Sequence, residues 1–268
     1  MNLISDVTIF NFTGVYESED FYKKIDNPRF VECRNIKGTD CLCDDQGEEA
    51  IRKLIENNKV PINGIHFIDN GNYHYMSYIF TSYINEPFNL IYFDNHPDMK
   101  PSMFGDILSC GSWVKKVLDT NKYVKKIIAV GVNEELLEQI EEDDRKKVRK
   151  VSSYFRNEFH ETENDNENNS IDYKILELLN DDIPVYISID KDVLSTKQLM
   201  TNWDQGIMST GTLTTIIKRL FESKSILGMD VCGEISTDTE CDQDVQLGNN
   251  SYFNSLITQI ALSNIGKS

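Results

Sequence analysis

Apolar residues recur along this chain in two rhythms. Residues 7–15, 64–68, 89–93, 127–132, 185–189 and 226–231 are short runs of nearly continuous apolar character. Such runs predict strands buried on both faces. Between them, apolar positions fall at helical spacing. Residues 44–57 open on acidic side chains and place Ala50, Ile51, Leu54 and Ile55 on one face, which predicts a helix. Further helices are predicted over 75–84, 171–179, 212–221 and 251–263, and one opening at 112–118. Residues 30–36 suggest another strand, and 134–150 a long charged helix with many candidate ion pairs. Strands alternating with helices imply a three-layer α/β/α architecture with a mostly parallel central sheet. Residues 157–170 hold acids and asparagines with little apolar content and are expected to form an exposed, mobile loop. With no repeat and no clear linker, 1–268 reads as one domain.

Composition narrows the partners. Against 27 basic residues stand 44 acidic ones, for a net charge of −17. Nucleic acids and anionic membranes need basic surface, so neither is an expected partner. No apolar run approaches the ~20 residues of a membrane helix, and the N-terminus lacks a basic, apolar leader. A cytoplasmic location is therefore expected. The six cysteines are scattered, as free thiols are rather than a disulfide framework. Cys41-Leu42-Cys43 has no second pair to complete a metal site and reads as structural.

The chemistry gathers at two strand ends. Residues 89–93 run into Asp94-Asn95-His96-Pro97-Asp98, and 185–189 into Asp190-Lys191-Asp192. Side chains alternate with period two in extended chain. Asp94, His96 and Asp98 can thus share a side, and so can Asp190 and Asp192. Carboxylates brought together without cations repel each other and lose hydration. A bound metal removes both costs. In an open parallel sheet, sites form beyond the carboxyl ends of the strands.

The order of these motifs resembles the arginase–agmatinase–formiminoglutamase (ureohydrolase) family. Gly71-Asn72-Tyr73-His74 matches its first motif, Asp94 to Asp98 its Asp-x-His-x-Asp, and Ser188-Ile189-Asp190-Lys191-Asp192 its Ser-x-Asp-x-Asp. Residues 206–214 look like its glycine–leucine–threonine helix start. Asp230 to Glu234 look like the strand that delivers a late glutamate. The resemblance implies an arginase/deacetylase-like fold and two Mn²⁺ per chain, held by His74, Asp94, His96, Asp98, Asp190 and Asp192. Paired divalent ions can bring the pKa of a shared water toward neutrality. The implied activity is hydrolysis of a C–N bond in a guanidino-type, cationic small molecule. Asp98 would pass a proton to the leaving amine, and Glu234 would hold the substrate cation. A homo-oligomer is the expected assembly. Two alternatives stand beside this one: an amide deacetylase of the same fold, and a non-catalytic metal-binding homologue.

The chain also departs from the pattern. Cys110 stands where the family usually has histidine, Tyr73 where it has aspartate before its first-motif histidine, and the chain reads Val193-Leu194-Ser195 where the third motif usually continues to Asp-Pro. Cys110 is either a catalytic thiol or a small side chain packed beside the metals. His66, inside an apolar strand, is expected to be packed. Asp69 is either a neighbour of the site or a turn cap. Trp113 and Trp203 either wall a pocket or fill the core.

Overall fold

The computed structural model describes residues 6–102, 105–151 and 171–263. The polar segment 157–170 lies outside the described residues. In chain order the strands are β1 (Val7–Asn11), β2 (Arg29–Glu32), β3 (Leu42–Cys43), β4 (Ile65–Phe67), β5 (Phe88–Phe93), β6 (Leu108–Ser109), β7 (Val124–Val130), β8 (Val148–Val151), β9 (Val185–Asp190) and β10 (Ile226–Cys232). Eight of them form one sheet in the order β2-β1-β4-β10-β9-β5-β7-β8, every pair parallel. The short β3 and β6 pair antiparallel in a separate ribbon.

The helices are α1 (Asp45–Asn57), α2 (Met76–Ser82), α3 (Trp113–Thr120), α4 (Glu134–Leu137), α5 (Glu142–Arg145), α6 (Ile171–Leu178), α7 (Thr210–Ser223) and α8 (Gln243–Ser263). Period-two alternation divides the sheet's side chains between two cores. Ile91 and Phe93 pack with α6, α7 and α8, while Leu90 and Tyr92 pack with α1, α2 and α3. The result is three layers with a wholly parallel central sheet. Each fully buried aliphatic or aromatic side chain contributes roughly 1.5–3 kcal/mol, which makes the central strands the rigid base of the fold. Register sets the site: Phe93 pairs with Ile189, and Cys232 with Asp190. Asp94 and Asp190 therefore leave neighbouring strands at one level.

Three expectations need correction. The helix over 134–150 is absent; the segment holds α4, α5 and the edge strand β8 instead. Glu134, Glu135, Glu138, Glu141 and Glu142 put like charges three and four residues apart, which weakens a continuous helix. Val148 and Val151 are buried against the sheet while Arg149 and Lys150 stay exposed. The strand predicted over 7–15 stops at Asn11, because the N–H groups of Phe12 and Thr13 turn to donate to Asp69 Oδ2 at 2.9 and 2.8 Å. Asp69 is thus the cap of a turn. The last helix begins at Gln243, two turns before the predicted start at 251.

His66 packs as expected. It is fully buried, its ring stacks on Phe80 at 4.2 Å, and its Nε2 meets the Pro61 carbonyl at 2.9 Å. Burial depresses its pKa to about 4, against which the Pro61 hydrogen bond pulls weakly. A base with a depressed native pKa stabilises the fold above its unfolded pKa near 6.5 and loses that contribution as pH falls toward 4. The whole shift corresponds to about 3 kcal/mol. His66→Phe is expected to flatten the fall in unfolding free energy between about pH 6.5 and pH 4. Urea titrations of both proteins across that range measure it; parallel curves would show that His66 is not the titrating group.

Candidate metal centre

His74 follows a short 3-10 turn, Gly71–Tyr73, capped by Asn70, whose side chain accepts from the Asn72 N–H. His74 Nε2 lies 3.0 Å from Ser188 Oγ. Ser188 and Ser77 both donate to Asp230 Oδ1, at 2.8 and 2.9 Å. With the Ser188 hydrogen directed at Asp230, its oxygen accepts from His74 Nε2–H. That leaves Nδ1 as the coordinating atom, the usual service of a second partner to a ligating imidazole. Nδ1 faces Asp98 Oδ2 at 3.0 Å, Asp94 Oδ2 at 3.2 Å and Asp190 Oδ2 at 3.5 Å.

His96 completes the other side. Its Nδ1 lies 2.8 Å from Asp192 Oδ2 and 3.5 Å from Asp94 Oδ1. Backbone donors fix the carboxylates: Asn95 N–H binds Asp192 Oδ1 at 2.9 Å, and Asp192 N–H binds Asp190 Oδ1 at 2.9 Å. Trp113 Nε1–H donates to Asp98 Oδ2 at 2.7 Å, so this tryptophan is both core and part of the site. The structure brings five of the six expected ligands into two clusters that share Asp94, and sets Asp190 beside His74 in a third. The first is His74, Asp94 and Asp98; the second is Asp94, His96 and Asp192. Cys232, which the sequence reading passed over, donates to Asp190 Oδ2 at 3.1 Å and joins a third cluster with His74 and Asp190.

The electrostatics are those of a site that needs cations. Burial, and then the charge of Asp98, raise Asp94; burial and Asp192 raise Asp190. Burial and Asp94 push Asp192 up to about 7. Burial disfavours charge on His96, yet the hydrogen bonds to Asp192 and Asp94 outweigh it and push the imidazole up to about 12. Asp94 Oδ2 is buried and accepts no hydrogen bond among the described residues. An acceptor left open between two imidazole-bearing clusters suits a divalent ion, and oxygen-rich sites with some imidazole suit Mn²⁺.

The site floors a cavity of about 420 Å³. Leu42, Pro97, Pro101, Leu136 and Trp203 give it apolar walls, Lys100 stands at its rim, and Cys41 and Cys110 line it together. Cys110 is thus placed beside the site, as expected. Glu234 is not. It is fully buried and absent from the cavity lining, with Oε1 2.5 Å from Lys191 Nζ and 2.8 Å from Asn254 Nδ2. The expected anchor for a substrate cation already holds an internal cation. Gly233, at φ +92°, makes this possible: a Cβ there would lie 2.6 Å from Asp190 Oδ1 and 2.8 Å from the Lys191 nitrogen. The turn at Gly233 leaves Glu234 buried outside the cavity lining. The sequence signal was Lys191 itself, a charge between two aspartates that period two sends the opposite way.

Comparison with known proteins agrees with this geometry. The profile of the Arginase family matches residues 13–247. An uncharacterised protein of Thermotoga maritima is 30% identical over 228 residues, spanning 85% of this chain and 79% of that protein. The formimidoylglutamase of Bacillus subtilis superposes with a TM-score of 0.68 over 100% of this chain and 89% of its own, at 13% identity. An arginase-like protein of T. brucei, a triple mutant bound with Mn²⁺, gives 0.59 over 100% and 93%, at 16% identity. At such identities the two superpositions establish the fold alone.

Three outcomes are expected. Chelation should lower the melting temperature and Mn²⁺ restore it, since a ligand at a hundredfold excess over its Kd adds about 2.7 kcal/mol. Native mass spectrometry should find two ions per chain and only one in Asp192→Asn; a fully loaded variant would refute the assignment. Lys191→Met strands a buried carboxylate and should cost about 3–5 kcal/mol in denaturant titrations. A loss well under that would show that Glu234 finds another partner.

Proposed function

Because the chain belongs to the Arginase family, we propose that it is a metal-dependent hydrolase holding two Mn²⁺ per chain and cleaving a C–N bond of a guanidino-type, cationic small molecule. The two ligand clusters that share Asp94 carry this reading. His74, Asp94 and Asp98 hold one ion; Asp94, His96 and Asp192 contribute to the other, with Asp190 beside both. Bound there, the ions neutralise the carboxylates and supply Lewis-acid activation of water and substrate.

The chain's own residues do the rest. Apolar walls exclude water from the reacting group, which strengthens every charge interaction inside. Asp98 moves a proton to the leaving amine from Oδ1, while Trp113 Nε1–H fixes Oδ2. Cys110 packs in the wall. The net charge of −17 draws cations toward the protein. We place the enzyme in the cytoplasm as a homo-oligomer.

One observation favours the amide-deacetylase alternative. With Glu234 committed to Lys191, the cavity lining among the described residues offers no carboxylate besides the four aspartates, and so no separate clamp for a substrate cation. Release of urea or ammonia from a guanidino panel, beside amine release from acetylated amines, separates the two. With Mn²⁺ bound, guanidino compounds should be turned over, and Asp98→Asn should lose about 10²–10⁴ in rate, as for a general acid. Cys110→Ser should keep most activity. Hydrolysis of acetylated amines alone would establish the alternative, and inertness toward both panels would leave a metal-binding homologue.

A further inference from the structure

We propose that Cys41 and Cys110 form a reversible dithiol–disulfide pair at the mouth of the metal cavity. This goes beyond the hydrolase reading and does not rest on it. The β3–β6 ribbon pairs Leu42 with Ser109 and Cys43 with Leu108 in antiparallel register. Continued by one residue, that register sets Cys41 opposite Cys110, and the Cys110 N–H donates to the Cys41 carbonyl at 3.0 Å. Residues opposite each other in an antiparallel pair stand about 4.5–5.5 Å apart at Cα, within the roughly 4.4–6.8 Å that a disulfide spans. Both are free, half-buried thiols, and both line the cavity. Cys33, Cys43 and Cys232 are buried, and Cys241 lies far along the chain between β10 and α8.

The two thiols are chemically unlike. A hydrogen bond from Cys110 holds Cys41 below the ordinary thiol range, whereas that bond and burial push Cys110 above it. The thiolate is the nucleophile in thiol oxidation. Cys41 also sits at φ +57°, a strained conformation for an L-residue that collects at functional positions.

The oxidant is a peroxide. The Cys41 thiolate attacks one peroxide oxygen, the O–O bond breaks, and the departing hydroxide takes up a proton to leave as water. Cys41 is then a sulfenic acid. Cys110 sulfur attacks Cys41 sulfur, the S–O bond breaks, and a second water leaves with the thiol proton. Two electrons pass from the thiols to the peroxide, and a dithiol reductant returns them. The cross-link ties the β3 ribbon to the turn Cys110–Ser112, which leads directly into Trp113, the donor to Asp98.

The test uses the whole reduced, Mn²⁺-treated chain, exposed to hydrogen peroxide, alkylated and mapped by peptide mass spectrometry. Two of the six thiols should escape alkylation, a Cys41–Cys110 peptide should carry the lost hydrogens, and dithiothreitol should restore both. Labelling of the pair should fall tenfold or more on oxidation. In Cys41→Ser the cross-linked peptide should vanish, and Cys241→Ser should behave as the parent. Should either variant misfold, the peptide map of the parent protein decides alone. Full alkylation of Cys41 and Cys110 after peroxide, or a cross-link from Cys41 to Cys43, would overturn the proposal.

Discussion

Mutual repulsion among four buried carboxylates is the constraint around which this molecule is arranged. Asp94, Asp98, Asp190 and Asp192 are each less than a tenth exposed, and removing an ion from water costs several kcal/mol even after relaxation. Neighbouring strands β5 and β9 must end at one level to bring the acids within reach of the same ions. Backbone N–H groups, the Trp113 indole and two imidazoles answer part of the charge. The open Asp94 Oδ2 marks what protein atoms leave unanswered.

One strand end sends its charges two ways. From Asp190-Lys191-Asp192 the acids face the cavity, and the ammonium drives into the protein toward Glu234, Asn250 and Asn254. Burial and the proximity of Glu234 hold Glu19 well above the usual carboxylate range. This buried pair closes the far side of the site and decouples Glu234 from anything that enters the cavity.

Most of the fold was legible because the central strands are apolar on both faces; of the candidate ligands, alternation groups Asp94, His96 and Asp98 and pairs Asp190 with Asp192, while His74 was legible only through the resemblance of Gly71–His74 to a family motif. The failures have physical causes. The first two turns of helix α8, residues 243–250, bury only Asn250, which meets Lys191, so they carry no apolar rhythm. The 134–150 segment looked helical from its charges, yet two buried valines decided for the sheet edge. Glu234 looked like a substrate anchor because the resemblance sets it at the family's late glutamate. Only the positive φ of Gly233 shows the turn away. The Trp113–Asp98 contact and the meeting of Cys41 with Cys110 depend on loop paths that have no periodic signature.

The shared use of Asp94 has a consequence for how the chain matures. His96 and Asp192 are 96 residues apart, and β9 slots between β5 and β10 in the middle of the sheet. A nascent chain still short of residue 190 carries His74, Asp94, His96 and Asp98 but neither carboxylate from the end of β9. Since pairing of distant strands is the slow part of building such a sheet, ion capture belongs to the final closure of the molecule, where it acts as a latch on the finished architecture.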